Sequence, residues 1–362
     1  MTVARSSAPD YWGPHGLCLE SYRGRKGLPM SSTRKSRANL TLPIDGNGKR
    51  FGHIVLPWSR NDSAWGSIRI PVAIIANGSG PTVLLTGGNH GDEFEGPIIL
   101  SEFARNVELD RVRGIVFCIP ALNYPALKAG KRLSPIDNGN MNRAFRGRRD
   151  GTITEQIAHF VEQEFVSRAD AVLDVHAGGR TMMFHPLAVS HKLPDAAQTQ
   201  RAKQALLAFG APIGLVLEEL DSEGMLDSAV ESRGKLFLST ELGGGGSTTP
   251  QTLQIARRGV HNFLVHVGVL DAELIAPAQP TRLMTSQADA YIVCERAGLI
   301  EYVSDLGEPV RRGDLLARIY DIDDLETDPH PVYASADGIL LGRLHGGIAD
   351  IGDFLSLIGG DA

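Results

Sequence analysis

An apolar run that ends in two glycines and a histidine, Thr82-Val-Leu-Leu-Thr-Gly-Gly-Asn-His-Gly-Asp-Glu-Phe-Glu-Gly96, sets the terms for the rest of the chain. Val83, Leu84 and Leu85 are the continuous apolar run of a strand covered on both faces, and Gly87-Gly88 end it in a turn. His90 and Glu93 follow at once. On the first turn of a helix, positions three apart share a side, so an imidazole and a carboxylate can converge on one ion. Taken alone, His-Gly-Asp-Glu fits a solvated loop or a helix cap equally well. Ala171-Val-Leu-Asp-Val-His176 changes that balance, because it is a second apolar strand that ends in histidine. Ligand sites in open α/β sheets collect beyond the carboxyl ends of strands, so two such ends point to one crevice. His90, Glu93 and His176 then make three protein ligands with a fourth position for water, the pattern of hydrolytic zinc sites. Asp92 and Glu95 lack the three-residue spacing from His90.

The chain has 362 residues, 42% hydrophobic and 22% charged, which suits a soluble protein of two or three domains. A net charge of -6 and a pI near 6.0 give no electrostatic case for nucleic acid or an anionic membrane, so a small-molecule substrate is expected. No run of about 18 apolar residues is present, and no transmembrane helix is expected. Cys18, Cys118 and Cys294 are odd in number and far apart, which argues against a disulfide framework and fits a reducing cytoplasm.

Residues 1–40 lack periodicity and read as a disordered extension, with Met30 a candidate for the natural start. Residues 41–270 alternate strand and helix patterns and read as an α/β domain. Its strands are Ile68–Ile75, with Pro71 suggesting an edge, then Gly114–Ile119, Ala171–Val175, Ile213–Leu217 and Leu236–Thr240. Its helices are Gly96–Arg105, Thr154–Arg168, Pro194–Phe209 and Gln251–Val267. Residues 271–287 turn to Ala, Pro, Thr and Ser and read as a linker. Residues 288–362 contain a repeat, Gly298-Leu-Ile-Glu leading to Gly313-Asp-Leu-Leu and Gly338-Ile-Leu-Leu leading to Gly352-Asp-Phe-Leu. This resembles the barrel-sandwich hybrid of biotinyl and lipoyl domains, although Asp321-Ile-Asp-Asp-Leu-Glu-Thr-Asp328 has no lysine to carry a swinging arm. A structural role in flanking the pocket or contacting another subunit is expected.

The loop after Gly114–Ile119 carries Arg132 and Arg143. Arginine forks match carboxylates, and a second arginine can stabilise an oxyanion, so the two beside zinc would suit an acylated amino acid. Both also fit solvated loop cations. Asp174, two residues before His176 on the same strand face, either orients a ligand or caps a turn. Gly243–Gly246 lacks a following Gly-Lys-Ser/Thr and reads as a flexible pocket wall. His185, His191, His261 and His266 have no ligand spacing that adds to the site.

The set Gly88-Asn-His90-Gly-Asp-Glu93, Ala129-Gly-Lys-Arg132, Asn140-Met-Asn142-Arg143-Ala-Phe, Asp174-Val-His176 and Thr240-Glu241-Leu-Gly243 resembles the succinylglutamate desuccinylase/aspartoacylase family, relatives of the zinc carboxypeptidases. The resemblance covers residues 45–360. It implies an α/β fold with a zinc-carboxypeptidase-like mixed sheet flanked by helices and a smaller C-terminal all-β, barrel-sandwich-like domain. It also implies one Zn2+ on His90, Glu93 and His176, Glu241 as general base, and Arg132 polarising the scissile carbonyl. Asn142 and Arg143 fall on the pair that grips the substrate's α-carboxylate, and a homo-oligomer, dimer or tetramer, is implied.

Asp62-Ser-Ala-Trp-Gly66 and Glu241-Leu-Gly-Gly-Gly-Gly-Ser247 are similar to the subfamily that deacetylates N-α-acetyl-2,4-diaminobutyrate in ectoine breakdown. Such a substrate carries a second ammonium that a carboxylate must match. Glu218, Glu219, Asp221, Glu223 and Asp227 form an acidic stretch after Ile213–Leu217, and Glu219 or Asp221 is the expected contact, against a merely solvated loop. The rivals are a desuccinylase or aspartoacylase reaction, or a metal-binding or regulatory module without catalysis. Extra substrate carboxylates should call for extra cations, and a binding module needs neither Glu241 nor Arg132.

Overall fold

Val83 and Leu85 face one hydrophobic core while Leu84 faces another, so the strand they form is buried on both sides, as its unbroken apolar run requires. The computed structural model describes residues 36–218, 223–286 and 288–362. In chain order the first strands are Asn39–Leu40 (β1), Gly48–Pro57 (β2), Ser67–Asn77 (β3), Thr82–Gly87 (β4), Gly114–Ile119 (β5), Ala171–Val175 (β6), Met182–Phe184 (β7), Leu187–His191 (β8), Ile213–Leu217 (β9), Leu236–Glu241 (β10) and Arg282–Thr285 (β11). The last quarter adds Tyr291–Val293 (β12), Gly298–Tyr302 (β13), Pro309–Val310 (β14), Leu315–Tyr320 (β15), His330–Tyr333 (β16), Gly338–Leu344 (β17), Ile348–Ala349 (β18) and Phe354–Asp361 (β19). The α-helices are Glu95–Asn106 (α1), Tyr124–Ala129 (α2), Ile153–Val161 (α3), Ala196–Phe209 (α4), Leu226–Glu231 (α5) and Pro250–Val267 (α6).

The large mixed sheet runs β1-β2-β3-β5-β4-β6-β10-β8-β9-β11-β19-β17-β14, with β12 on β19 and β7 on β17. At its centre β5, β4, β6 and β10 are parallel, which aligns their carboxyl ends. Helices α1, α4 and α6 cover one face through Ile99, Leu100, Leu206, Phe209, Val260 and Phe263. Helices α3 and α5 cover the other through Ile157, Phe160, Val161, Leu226 and Val230. Burial of each such side chain contributes about 1.5–3 kcal/mol. Among the described residues no helix is long and apolar enough to cross a membrane.

Several expectations are refined. Pro71 lies in β3, which has strands on both sides, but β5 pairs only with Ala73–Asn77, so Pro71 sits where β3 is locally an edge. The long helix expected over Thr154–Arg168 is α3, opened by a capping box between Thr152 and Glu155, followed by a π-helical turn at Glu162–Val166. Residues 1–35, including Met30, lie outside the described residues, and Asn39–Leu40 pairs with β2.

The segment expected as a linker contains β11. That strand pairs in parallel with β9 and antiparallel with β19, so the β-rich C-terminal region continues the large sheet. The two repeat blocks fold alike, as antiparallel pairs β13 with β15 and β17 with β19. A second antiparallel sheet, β16-β15-β13-β18, packs over a core that includes Val310, Leu316, Ile319, Leu340, Leu355 and Ile358.

Gly259 of α6 packs against Phe209 of α4. A Cβ there would lie 2.1 Å from the ring of Phe209, which is fully buried. Gly259→Ala gains about 1 kcal/mol of helix propensity, but overpacking a filled core costs about 1–3 kcal/mol. The substitution should therefore lower the denaturation midpoint in urea; a raised midpoint would show that the interhelix contact yields easily.

Candidate active site

Three neighbouring parallel strands, β4, β6 and β10, deliver His90, His176 and Glu241 at or just beyond their carboxyl ends. His90 and Glu93 do not lie on the first turn of a helix as expected. They flank a tight turn that precedes α1, and the turn itself brings His90 Nδ1 to 2.7 Å from Glu93 Oε1. Gly91 is required there, since a Cβ would sit 2.0 Å from the backbone carbon of Ala126 on α2.

The other oxygen of Glu93, Oε2, lies 2.9 Å from His176 Nδ1 and accepts a hydrogen bond from Ala177 N at 3.2 Å. The two imidazole centroids are 5.3 Å apart. Each ring is fixed from behind: His176 Nε2 lies 2.8 Å from Asp174 Oδ2, and His90 Nε2 lies 3.2 Å from Asn140 Oδ1. With Nε2–H donating to these acceptors, both Nδ1 atoms face Glu93, where each donates to the carboxylate when protonated and would present a lone pair to a cation when not. Asp174 is itself held by Thr86 Oγ1 at 2.8 Å and Asn89 Nδ2 at 2.9 Å. Thr240 on β10 accepts from His176 N at 3.1 Å and donates to His176 O at 3.0 Å. Asp174 thus orients a ligand and is not a turn cap.

Burial makes the charge balance decisive. Glu93, His90 and His176 are 2%, 4% and 7% exposed. Burial alone would raise the Glu93 carboxyl, but the two imidazoles outweigh it and hold it well below the usual carboxylate range. Burial would likewise lower His176, yet Asp174 and Glu93 on either side push it well above the ordinary imidazole value. Glu241 is pushed up to about 8 by burial and by the negative charge of Glu93. Its Oε2 is buried with no hydrogen-bond partner among the described residues. Three carboxylates thus crowd one pocket. His90, Glu93 and His176 offer ligand atoms that all lie within 4.8 Å of one another, and this donor set fits a divalent cation.

The remaining site residues arrive on loops. Arg132 follows α2 and places Nη1 3.6 Å from Glu93 Oε1. Asn142 and Arg143 sit on a 3-10 turn, where Asn142 Oδ1 accepts from Leu226 N at 3.2 Å and Arg143 Nη1 donates to Asn142 O at 2.7 Å. Asp137 pins this loop to the start of α3, accepting from Thr154 N at 2.7 Å and Thr154 Oγ1 at 2.8 Å. Arg132, Asn142, Arg143 and Glu241 line one cavity of about 300 Å3 with the three clustered residues. Glu219 and Asp221 lie outside the described residues.

Gly243–Gly246 is a packed turn and not a flexible wall. Gly243 O accepts from Phe184 N, and a Cβ on Gly244, whose φ is 147°, would meet Met182 O at 2.0 Å. The turn therefore holds β7 against the segment after His176. Sequence reasoning set His191 aside, ranked Asp227 behind Glu219 and Asp221 in the acidic stretch, and expected the C-terminal region to flank the pocket without naming Tyr291, Phe354 or Leu357; all five line the cavity. His191 carries the signal that found His176, a histidine at the end of the apolar strand Leu187-Ala-Val-Ser-His191.

The chain is similar to known proteins over most of its length. Residues 79–267 match the model of the succinylglutamate desuccinylase/aspartoacylase catalytic domain. The chain is 43% identical over 326 residues to the N-alpha-acetyl-L-2,4-diaminobutyric acid deacetylase of Halomonas elongata, covering 90% of this chain and 95% of that one. The product-bound structure of the ectoine utilization protein EutE (DoeB) from Ruegeria pomeroyi is 44% identical, with a TM-score of 0.87, covering 90% of this chain and 99% of that one. An aspartoacylase family protein from Mesorhizobium loti is 26% identical with a TM-score of 0.80, covering 91% of this chain and 99% of that one.

Asp174→Asn replaces the acceptor behind His176 with a group that meets Thr86 and Asn89 badly. It should weaken the binding of an added divalent cation by about 10- to 100-fold, read by competition with a chromogenic chelator. Unchanged affinity would mean that His176 needs no such support.

Proposed function

The chain belongs to the succinylglutamate desuccinylase/aspartoacylase family, and we propose that it is a zinc-dependent, zinc-carboxypeptidase-like amidohydrolase that removes the acetyl group from the α-nitrogen of N-α-acetyl-2,4-diaminobutyrate. The observation that carries this reading is the convergence of His90, Glu93 and His176 beside a carboxylate, Glu241, whose buried Oε2 has no partner among the described residues. The deacetylase of Halomonas elongata supplies the substrate.

His90, Glu93 and His176 would hold the metal. Zinc, when bound, supplies Lewis-acid polarisation and makes a neighbouring water more acidic. Glu241 takes one proton from water as the water oxygen bonds to the acyl carbon. It then delivers that proton to the amide nitrogen as the C–N bond breaks, releasing acetate and the free amine. In the metal-free pocket burial and the Glu93 charge keep a proton on Glu241 up to about 8; a divalent cation held beside it would lower that value and leave the carboxylate able to accept a proton. Arg132 donates to the carbonyl oxygen as it gains negative charge, a contact of the kind worth about 2.7–4 kcal/mol in the transition state. Asn142 and Arg143 fix the α-carboxylate, which places the acetyl group rather than the side chain at Glu241.

Amine release should require metal. Chelation should abolish hydrolysis of N-α-acetyl-2,4-diaminobutyrate and zinc should restore it, with N-succinylglutamate and N-acetylaspartate cleaved far more slowly; turnover without metal, or preference for the diacids, would refute the reading. Arg132→Ala should lower kcat by about 100- to 1,000-fold.

Glu241→Gln should remove activity yet stabilise the chelated protein. Between an ordinary carboxylate value and about 8, the unfolded chain releases the proton that folded Glu241 keeps, so this group costs stability as pH rises. The variant should melt above wild type at pH 8, with the gap closing towards pH 5. A gap independent of pH would contradict the assignment.

A further inference from the structure

Away from the metal-binding cluster, the cavity wall is mostly apolar, with Leu215, Leu217, Met225 and Phe237 among its lining residues. Asp227 interrupts it. This residue lines the cavity, is 8% exposed, and belongs to the short helix α5. Its recorded hydrogen bonds, from Ser228 N and Ser228 Oγ, both go to Oδ1, and among the described residues no cation pairs with it. Four residues on, in the same helix, is a second buried carboxylate, Glu231, whose Oε1 lies 3.0 Å from His191 Nδ1. Burial raises the Glu231 carboxyl, and the negative charge of Asp227 adds to that rise, so the two acids sense each other. A carboxylate buried in an apolar wall beside another acid calls for a cation.

The position of Asp227 relative to the α-carboxylate grip says where that cation comes from. Leu226 N donates to Asn142 Oδ1, and Phe145 N donates to Gly224 O at 2.9 Å. Residues 224–227 are therefore fastened onto the turn that carries Asn142 and Arg143. An amino acid held there by its α-carboxylate extends its side chain within the same cavity as Asp227.

We infer that Asp227 selects the substrate's side chain by pairing its carboxylate with an ammonium two methylenes beyond the α-carbon. The inference rests on the deacetylase reading above, and it moves to Asp227 the role that the sequence suggested for Glu219 or Asp221. The substrate class is an N-acylated amino acid with a short basic side chain. Diacid substrates are disfavoured by the same carboxylate.

The test compares N-α-acetyl-2,4-diaminobutyrate with N-α-acetylnorvaline, in which a methyl group replaces the ammonium, on zinc-loaded wild type and Asp227→Asn. The amide keeps an Oδ1 acceptor for Ser228, and norvaline turnover reports whether the fold and the reaction centre survive. Asp227→Asn should lose about 10- to 100-fold in kcat/KM on the diamino substrate and change little on acetylnorvaline. Equal losses on both substrates, or no loss on either, would overturn the inference. If wild type cleaves acetylnorvaline but not the diamino substrate, Asp227 loses this role and the proposed substrate falls with it, while metal-dependent deacetylation stands; the failure of Asp227 alone is the case in which wild type cleaves the diamino substrate and Asp227→Asn shows no selective loss on it. If it cleaves neither, both fall.

Discussion

Glu93 shares its two carboxylate oxygens between two imidazoles, 2.7 Å from one and 2.9 Å from the other, in a place where it is 2% exposed. A lone carboxylate in that position would be strongly destabilising. It persists because His90 and His176 are themselves braced by Asn140 and Asp174, and because Thr86, Asn89 and Thr240 brace those in turn. Glu241 adds a further carboxylate, and Arg132, at 3.6 Å from Glu93, provides one guanidinium. Such a set fits a divalent cation on His90, Glu93 and His176.

The sheet explains how residues so distant in sequence meet. Parallel strands β4, β6 and β10 are neighbours, so the turns after the first two and the last residue of the third share one edge. Apolar burial on both faces fixes the strands, which leaves little freedom to the side chains at their ends. The glycine turn after Glu241 locks β7 beside His176, and β17 pairs with β7. The C-terminal region thus closes the cavity with Tyr291, Phe354 and Leu357. Its repeat lacks a carrier lysine, and its structural contribution is a wall and a continuation of the sheet.

The fold was legible where periodicity is local. The runs Gly114–Ile119, Ala171–Val175 and Ile213–Leu217 are strands with the expected bounds, because each is a short apolar segment between turn residues. Met182–Phe184 was not legible: three residues show no period, and their partner strand lies more than 150 positions away. Nor does composition reveal that Arg282–Thr285 joins the sheet, since a Pro- and Ala-rich neighbourhood looks like a linker whatever it pairs with. The convergence of His90, Glu93 and His176 was legible because two apolar strands each end in or just before a histidine, and parallel neighbours bring such ends together. Asn140 stood inside a recognisable motif, yet its role depends on the orientation of His90, which no spacing reports. His191 was set aside because it adds nothing to a ligand set, and Asp227 was one of five acids in a stretch whose spacing does not rank them; their place in the cavity wall follows from β8 and α5, which carry them.

The most direct test of this account is anomalous diffraction at the zinc absorption edge from crystals grown with zinc. The account predicts one peak per chain, about 2.0–2.2 Å from a nitrogen of His90, a nitrogen of His176 and the Glu93 carboxylate, with Glu241 outside that coordination. A peak elsewhere, or none between these three side chains, would contradict it.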